Sequence, residues 1–341
     1  MAQINKPSDY FNTVLYTGNA STQSITGVGF QPDWVWVKDR TGANSHEVQD
    51  VVRGAGKGLL PNGTSAELTG RTLYQFDSDG FSLDGTNTTS NVNGNNYVAW
   101  NWLAGSTASS NTDGDITSSV SANTTSGFSI VSYTGTGSNA TIGHGLGVRP
   151  SFIIVKVRDA VNSWPCQHIS LGAGNRINLD STAASASAPT FWNSTEPTSL
   201  VFSVGTEDIT NNSGNTYIAY CFAEKKGFSK FGSYTGNGNT DGPFIYTGFK
   251  PAFLIIKQTN SANDWVTHDN KRDPYNGEVH YLHPNLSNAE LTGGKLVDFT
   301  SNGFKQRSTQ GSHNASGSTY IYMAFAENPL VGTNNIPATA R

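Results

Sequence analysis

The sequence predicts an all-β protein of three tandem antiparallel β-sandwich units, each about 100 residues long. Three observations predict it. Charged residues are only 13% of the 341 and glycine numbers 37, against ordinary shares of about 25% and about 7%, so turn formers dominate the composition. A set of landmarks recurs three times in one order. The segments that carry them are short, apolar or alternating, and bounded by Gly, Asn, Asp and Pro, and no stretch holds a 3.6-residue period.

The repeat fixes the organisation. Tyr16-Thr17-Gly18, Tyr133-Thr134-Gly135 and Tyr234-Thr235-Gly236 precede Pro32, Pro150 and Pro251 by 16, 17 and 17 residues. Each proline opens a matching segment, PDWVWVK, PSFIIVK or PAFLIIK, with lysine (Lys38, Lys156, Lys257) six residues on. A third landmark, at Tyr97, Tyr217 and Tyr320, follows 65, 67 and 69 residues after the proline. Trp164 and Trp265 lie 14 residues past their prolines, where the first copy has His46, and four residues later come Asp50, His168 and Asp269. These spacings place repeat units at 11–104, 128–226 and 228–330, after an N-terminal arm at 1–10 and before a C-terminal tail at 331–341.

Residues 105–127 are polar, free of aromatics and rich in Gly, Ser and Thr, which reads as a linker. Only Lys225-Lys226-Gly227 separates the second and third units. Those two are expected to dock rigidly, with more freedom for the first.

Within each unit the proline-to-lysine segment reads as a strand buried on both faces. The closing segment alternates: Val98, Trp100 and Trp102 match Ile218, Tyr220 and Phe222, and Ile321, Met323 and Phe325. These nine share one face, while Ala99, Asn101, Ala219, Cys221, Tyr322 and Ala324 face the other way, smaller on the whole. Burying the nine contributes roughly 15–25 kcal/mol before entropy. On this reading each sandwich has its own core and stands alone.

Composition also excludes partners. A net charge of −4 and a pI near 5.9, without any Lys/Arg cluster, lack the electrostatic footprint of nucleic-acid binding. The N-terminus has no apolar signal core and no run reaches 18 apolar residues, so neither export by a recognisable signal nor membrane insertion is expected. Cys166 and Cys221 are too few for a disulfide framework.

Candidate chemistry is sparse. Gly54–Gly58 suggests a phosphate loop, but Val51 and Gly58 stand where the motif needs Gly and Ser/Thr. The glycines around His144 lack a following helix. Cys166 and His168 share a strand face, yet the equivalents Val48/Asp50 and Thr267/Asp269 carry no nucleophile, so packing is expected there. Asp113 and Asp115 have no acidic partner at Ca²⁺-loop spacing. Asp50, His168 and Asp269 suit a shared hydrogen-bonding role. Sequons such as Asn62 and Asn193 are expected by chance in so Asn/Ser/Thr-rich a chain. Trp192, beside Asn193, is the candidate for stacking on a sugar ring. No catalytic residues, metal ligands or cofactor are assigned.

The segments KPSDYFNTVLYTGN, SITGVGFQPDWVWVKDR, NYVAWNWLAG, GHGLGVRPSFIIVK, IAYCFAEKKGFSKFGSYTGNG and YIYMAFAENPL resemble a repeat family common in tailed bacteriophages of marine and freshwater bacteria. Members are described as virion structural or tail-fibre-like proteins. The resemblance covers nearly the whole chain and implies lectin-like or jelly-roll sandwiches, no catalytic motif, assembly in a host cytoplasm and a place on the virion exterior. Implied partners are other virion proteins, further copies of the chain (a trimer among them), and host surface glycans. The leading expectation is a tail-fibre or appendage protein in host attachment. The alternatives are a capsid-decorating, collar or tail-associated protein without a receptor role and, behind both, a polysaccharide depolymerase, for which the units offer no equivalent acidic pair.

Overall fold

The computed structural model describes residues 3–85, 89–332 and 337–339. Within them the chain is all-β with antiparallel sheets, interrupted by helical turns at Pro7–Asp9, Asp208–Asn211 and Gly311–Asn314. One four-strand order appears three times. The opening strand Phe11–Thr17 pairs with the closing strand Asn96–Trp102, which pairs with Trp34–Asp39 and through it with Glu47–Asp50. The same order joins Phe128–Thr134, Thr216–Phe222, Phe152–Val157 and Pro165–His168, and again Ser229–Thr235, Thr319–Pro329, Phe249–Gln258 and Val266–Asp269. Register repeats as well: Trp34 lies opposite Trp102, Phe152 opposite Phe222 and Phe253 opposite Phe325.

The tyrosine landmarks mark a stacked pair in every copy. Ring centroids are 4.9 Å apart for Tyr16 and Tyr97, 5.0 Å for Tyr133 and Tyr217, and 4.8 Å for Tyr234 and Tyr320. The first tyrosine of each pair donates its hydroxyl to a backbone carbonyl, of Ser90, Thr210 or His313. The hydroxyl of the second accepts the N–H of Val92, Asn212 or Ala315. A Cβ on Gly18, Gly135 or Gly236 would lie 2.2–2.3 Å from the carbonyl oxygen of that same N–H-donating residue in its copy. Only glycine lets the turn approach so closely.

The two faces of the closing strands separate as the alternation predicts, but not into three private cores. Ala99, Ala219, Cys221, Tyr322 and Ala324 face clusters within their own copies, shared with smaller sheets such as Gln23–Thr26 with Gly80–Leu83, Ala140–Gly143 with Val201–Val204, and Phe244–Tyr246 with Gly303–Gln306. The nine larger residues, Val98 to Phe325, instead all enter one cluster common to the three copies. Trp102, Phe222 and Phe325, equivalent in the repeat, meet at its centre with centroid separations of 6.4, 6.0 and 5.7 Å. The expectation that each unit stands alone is therefore corrected: exposing three aromatic-rich faces to water costs far more than burying them against one another.

The landmark lysines close the ring. Lys38 Nζ donates to the carbonyl of Asn44 in its own loop (2.8 Å) and to that of Ser287 in the third copy (3.1 Å). Lys156 does the same to Asn162 (2.7 Å) and Thr64 of the first copy (3.1 Å), and Lys257 to Asn263 (2.8 Å) and Thr182 of the second (3.0 Å). The residue 14 past each proline points across the same seams. His46 Nε2 donates to the His283 carbonyl (3.0 Å), Trp164 Nε1 to those of Leu60 and Gly63 (3.1 and 3.0 Å), and Trp265 Nε1 to that of Asn178 (3.0 Å). Residues 11–104 are thus tied to both neighbours, contrary to the freedom expected of them.

The 105–127 linker is also corrected. Its polar residues form strands Ser109–Asn111 and Ser118–Asn123, and the latter pairs with the opening strand Phe128–Thr134, adding two strands at that edge of a sheet that Asn175–Asn178 and Ala186–Ser187 extend at the other to eight. In the N-terminal arm, Ile4 enters the shared cluster and its N–H donates to the Lys226 carbonyl at 3.1 Å.

A shared core with buried seams is expected to unfold in a single transition. Burial lowers the three lysines to about 8, so each is protonated at neutral pH. Lys156→Met and Lys257→Met, which strip buried carbonyls of their donor, are each expected to cost about 2–3 kcal/mol. In urea titrations followed by tryptophan fluorescence and circular dichroism, both variants should shift one coincident transition. Separate transitions for separate repeats would refute the common core.

Candidate functional site

The position shared by Asp50, His168 and Asp269 lies at the three seams. Asp50 Oδ2 accepts the Arg53 Nε and, from the second copy, the Tyr220 hydroxyl at 2.8 Å. Asp269 Oδ2 accepts the Arg272 Nε and, from the first copy, Trp100 Nε1 at 3.0 Å. Arg53 and Arg272 are wholly buried and reach on to Glu67 and Glu290, which pair in turn with Arg158 and Arg40 of the neighbouring copy. Burial raises both glutamates, but the two guanidiniums against each outweigh it and hold the carboxyls below their usual range.

At the remaining seam this position is neutral. Tyr220 and Trp100 correspond to Met323 in the third copy, which has no proton to donate, and His168 Nε2 donates instead to the backbone carbonyl of Tyr322 at 3.2 Å. Leu171 stands where the other copies have arginine. His168 Nδ1 accepts the Ser170 N–H, so both ring nitrogens are engaged. Cys166 is buried in the common core with its thiol pushed up by desolvation. The pair packs and hydrogen-bonds, as the repeat comparison predicts.

The sugar-stacking candidate does not survive. Trp192 is 0% exposed, inside the second copy's own cluster, so its ring has no free face. Asn193 beside it is exposed, in a turn with φ of 50°. All seven tryptophans are buried. Asp115 accepts the N–H and hydroxyl of Thr141, and Asp113 accepts the Asn111 amide. Among the described residues no three His, Cys, Asp or Glu side chains gather as metal ligands.

Tyr74 of the first copy and Tyr275 in a loop of the third are exposed singly, at 44% and 79%, whereas two exposed aromatics stand side by side on the outer sheet of the third copy. Phe244 is 46% and Tyr246 58% exposed, on either side of the buried Ile245 in the edge strand Phe244–Tyr246. Phe244 is opposite Lys305, which is opposite Asp298, so the three share a face with Arg307 two residues on. Lys305 pairs with Asp241 at 2.7 Å, and Arg307 with Asp298. Beside them opens a cleft of about 740 Å³ lined by Thr240, Lys295, Asp298, Arg307, Thr309 and Gln310. Sequence reading passed over this face. The signal was available: at the matching positions the first copy has Ser24 and Thr26, and the second Thr141 and Gly143, so the aromatics depart from the repeat.

The model of a family described as a domain of unknown function, DUF7483, matches residues 6–329. The chain belongs to the DUF7483 family. Its domain runs from just before the first opening strand to Pro329, the end of the third closing strand, so the family unit is the whole ring and not one repeat. No curated protein matches.

The seams of this DUF7483 domain give two predictions. Asp269→Asn leaves the buried Arg272 without its nearest counter-charge and is expected to cost about 3–5 kcal/mol. His168→Asp, which places a carboxylate against the Tyr322 carbonyl with no arginine beside it, should cost at least as much. Chemical denaturation measures both, and a loss under about 1 kcal/mol in either would refute the seam assignment.

Acid should weaken the same seams. Burial lowers His168 to about 4 and His313 to about 3, and holds His46 and His268 well below the ordinary value. His268 and His313 share one hydrogen bond at 3.0 Å, which requires an unprotonated acceptor. Below about pH 6.5 the unfolded chain binds more protons than the folded one, so stability present at pH 7 falls progressively toward pH 4. Thermal midpoints between pH 7 and 4.5 should trace this fall. His168→Gln, which retains a donor, should make it shallower.

Proposed function

We propose that this chain is a structural protein of a tailed-bacteriophage virion, a tail-fibre or appendage component on the particle exterior that takes part in host attachment. The module is three tandem sandwiches of about 100 residues, lectin-like or jelly-roll in kind, and its role is non-catalytic. The observation that carries the reading is ring closure. Three copies in one chain spend six of their seven tryptophans on a common core and Arg40, Arg53, Arg158 and Arg272 on the seams around it, which suits a particle that must survive outside the cell. The copy-specific loops and edges are left facing outward, where contact with other virion proteins, further copies of the chain and host surface glycans would occur. Several such modules on one particle would turn weak contacts into firm attachment.

A second reading has its own support. Equivalent residues around one centre let a single chain imitate a trimer, which fits a capsid-decorating or collar protein seated at a position of threefold symmetry.

Immunogold labelling of intact particles with antibody to the purified chain, together with adsorption competition by that chain, separates the two. Label on a tail appendage with blocked adsorption is expected. Label on the head without competition selects the second reading. Particles that carry no label refute both.

A further inference from the structure

We propose that the outer face formed by Phe244, Tyr246 and the adjoining cleft in the third copy is a binding platform for neutral hexose polysaccharide. The inference deepens the attachment role and rests on it for its biological setting, though not for its chemistry.

Residues two apart on a strand project to one side about 6.6 Å from each other, so the two rings form a short exposed track. Phe244 and Tyr246 are 46% and 58% exposed on an edge strand whose opposite face is closed by Ile245 against Phe304. Aromatic faces of this kind stack on the C–H faces of pyranose rings, with the tyrosine hydroxyl left as a polar handle. Hydrogen-bonding groups surround the track. Residues 237–241, Asn-Gly-Asn-Thr-Asp, are exposed and held in shape by their own turns: the Asn239 N–H donates to Asn237 Oδ1 at 3.0 Å, and the Asp241 N–H to Asn239 Oδ1 at 2.9 Å. The cleft adds Thr240, Thr309 and Gln310.

Charge selects a neutral ligand. Both cations flanking the rings are matched, Lys305 by Asp241 and Arg307 by Asp298, so an anionic chain stacked on them would have to displace a carboxylate from each, and the remaining cation of the cleft, the exposed Lys295, faces it together with Asp298. Size selects a small contact. Two half-exposed aromatic side chains offer on the order of 200 Å², well short of the roughly 800 Å² per partner of a stable protein interface. The face is also specific to one copy, because the equivalents Ser24, Thr26, Thr141 and Gly143 cannot stack.

Affinity electrophoresis of the full chain through gels containing mannan, dextran or galactan, with alginate as the acidic comparison, tests the assignment. Retardation is expected in at least one neutral gel and not in alginate. The Phe244→Ala/Tyr246→Ala double variant should weaken it by roughly tenfold or more, while Ser24→Ala/Thr26→Ala at the matching positions leaves it unchanged. No retardation in any neutral gel, retardation in alginate alone, or an undiminished double variant would overturn the proposal. So would self-association in size-exclusion chromatography that the double variant abolishes, which would make the face an interface between copies. Particle labelling is scored separately. A labelled virion with a chain that ignores neutral polysaccharide refutes the platform alone, and a chain that binds polysaccharide but labels no particle refutes the virion role alone.

Discussion

Burial of three aromatic strand faces against one another is the constraint on which the rest of this structure depends. Each closing strand presents large side chains on one face and small ones on the other. The small face is satisfied inside its own copy, but the large face needs two partners of the same kind. Once the copies are packed this closely, the lysine, aspartate and arginine side chains at the seams lose most of their contact with water and are paired across them instead. The lysines after each proline-initiated strand meet that demand with backbone carbonyls from two copies at once. Charge burial and ring closure are therefore coupled, because the same packing of the copies brings about both.

Divergence among the copies follows the same logic. An aspartate occurs at a seam where the facing closing strand offers a side-chain donor, Tyr220 or Trp100, and an arginine stands three residues on. Where the facing residue is Met323 and no arginine is present, histidine takes its place and uses a backbone carbonyl. One charged arrangement thus occurs twice and a neutral one once, all with the same backbone geometry. A buried ion pair that loses one member is costly, whereas its replacement by a satisfied neutral set is tolerated. That is why the position changes together with its surroundings.

With the interior spent on closure, recognition falls to the surface. Trp192, the tryptophan that the sequence offers for stacking, is buried with the other six. The two outward aromatics that stand side by side, Phe244 and Tyr246, are instead on one edge strand of the third copy, whose outer sheet has four strands against three and two in the other copies. A repeat protein can specialise in this way because substitutions on an outer sheet leave the shared core untouched.

Much of this was legible in the chain itself. The threefold register, the strands buried on both faces, the division of each closing strand into large and small sides, and a common hydrogen-bonding role for Asp50, His168 and Asp269 all follow from spacing and alternation. Residues 105–127 misled because Ser, Thr and Asn read as linker, yet Ser118–Asn123 needs only a free strand edge to pair with. Trp192 misled because a polar neighbour in sequence, Asn193, says nothing about what covers the ring. Alternation fixes which residues share a face, since that is a property of the strand. What lies against the face is a property of chain segments far apart, and only the assembled tertiary structure decided that the three large faces meet one another rather than three separate partners.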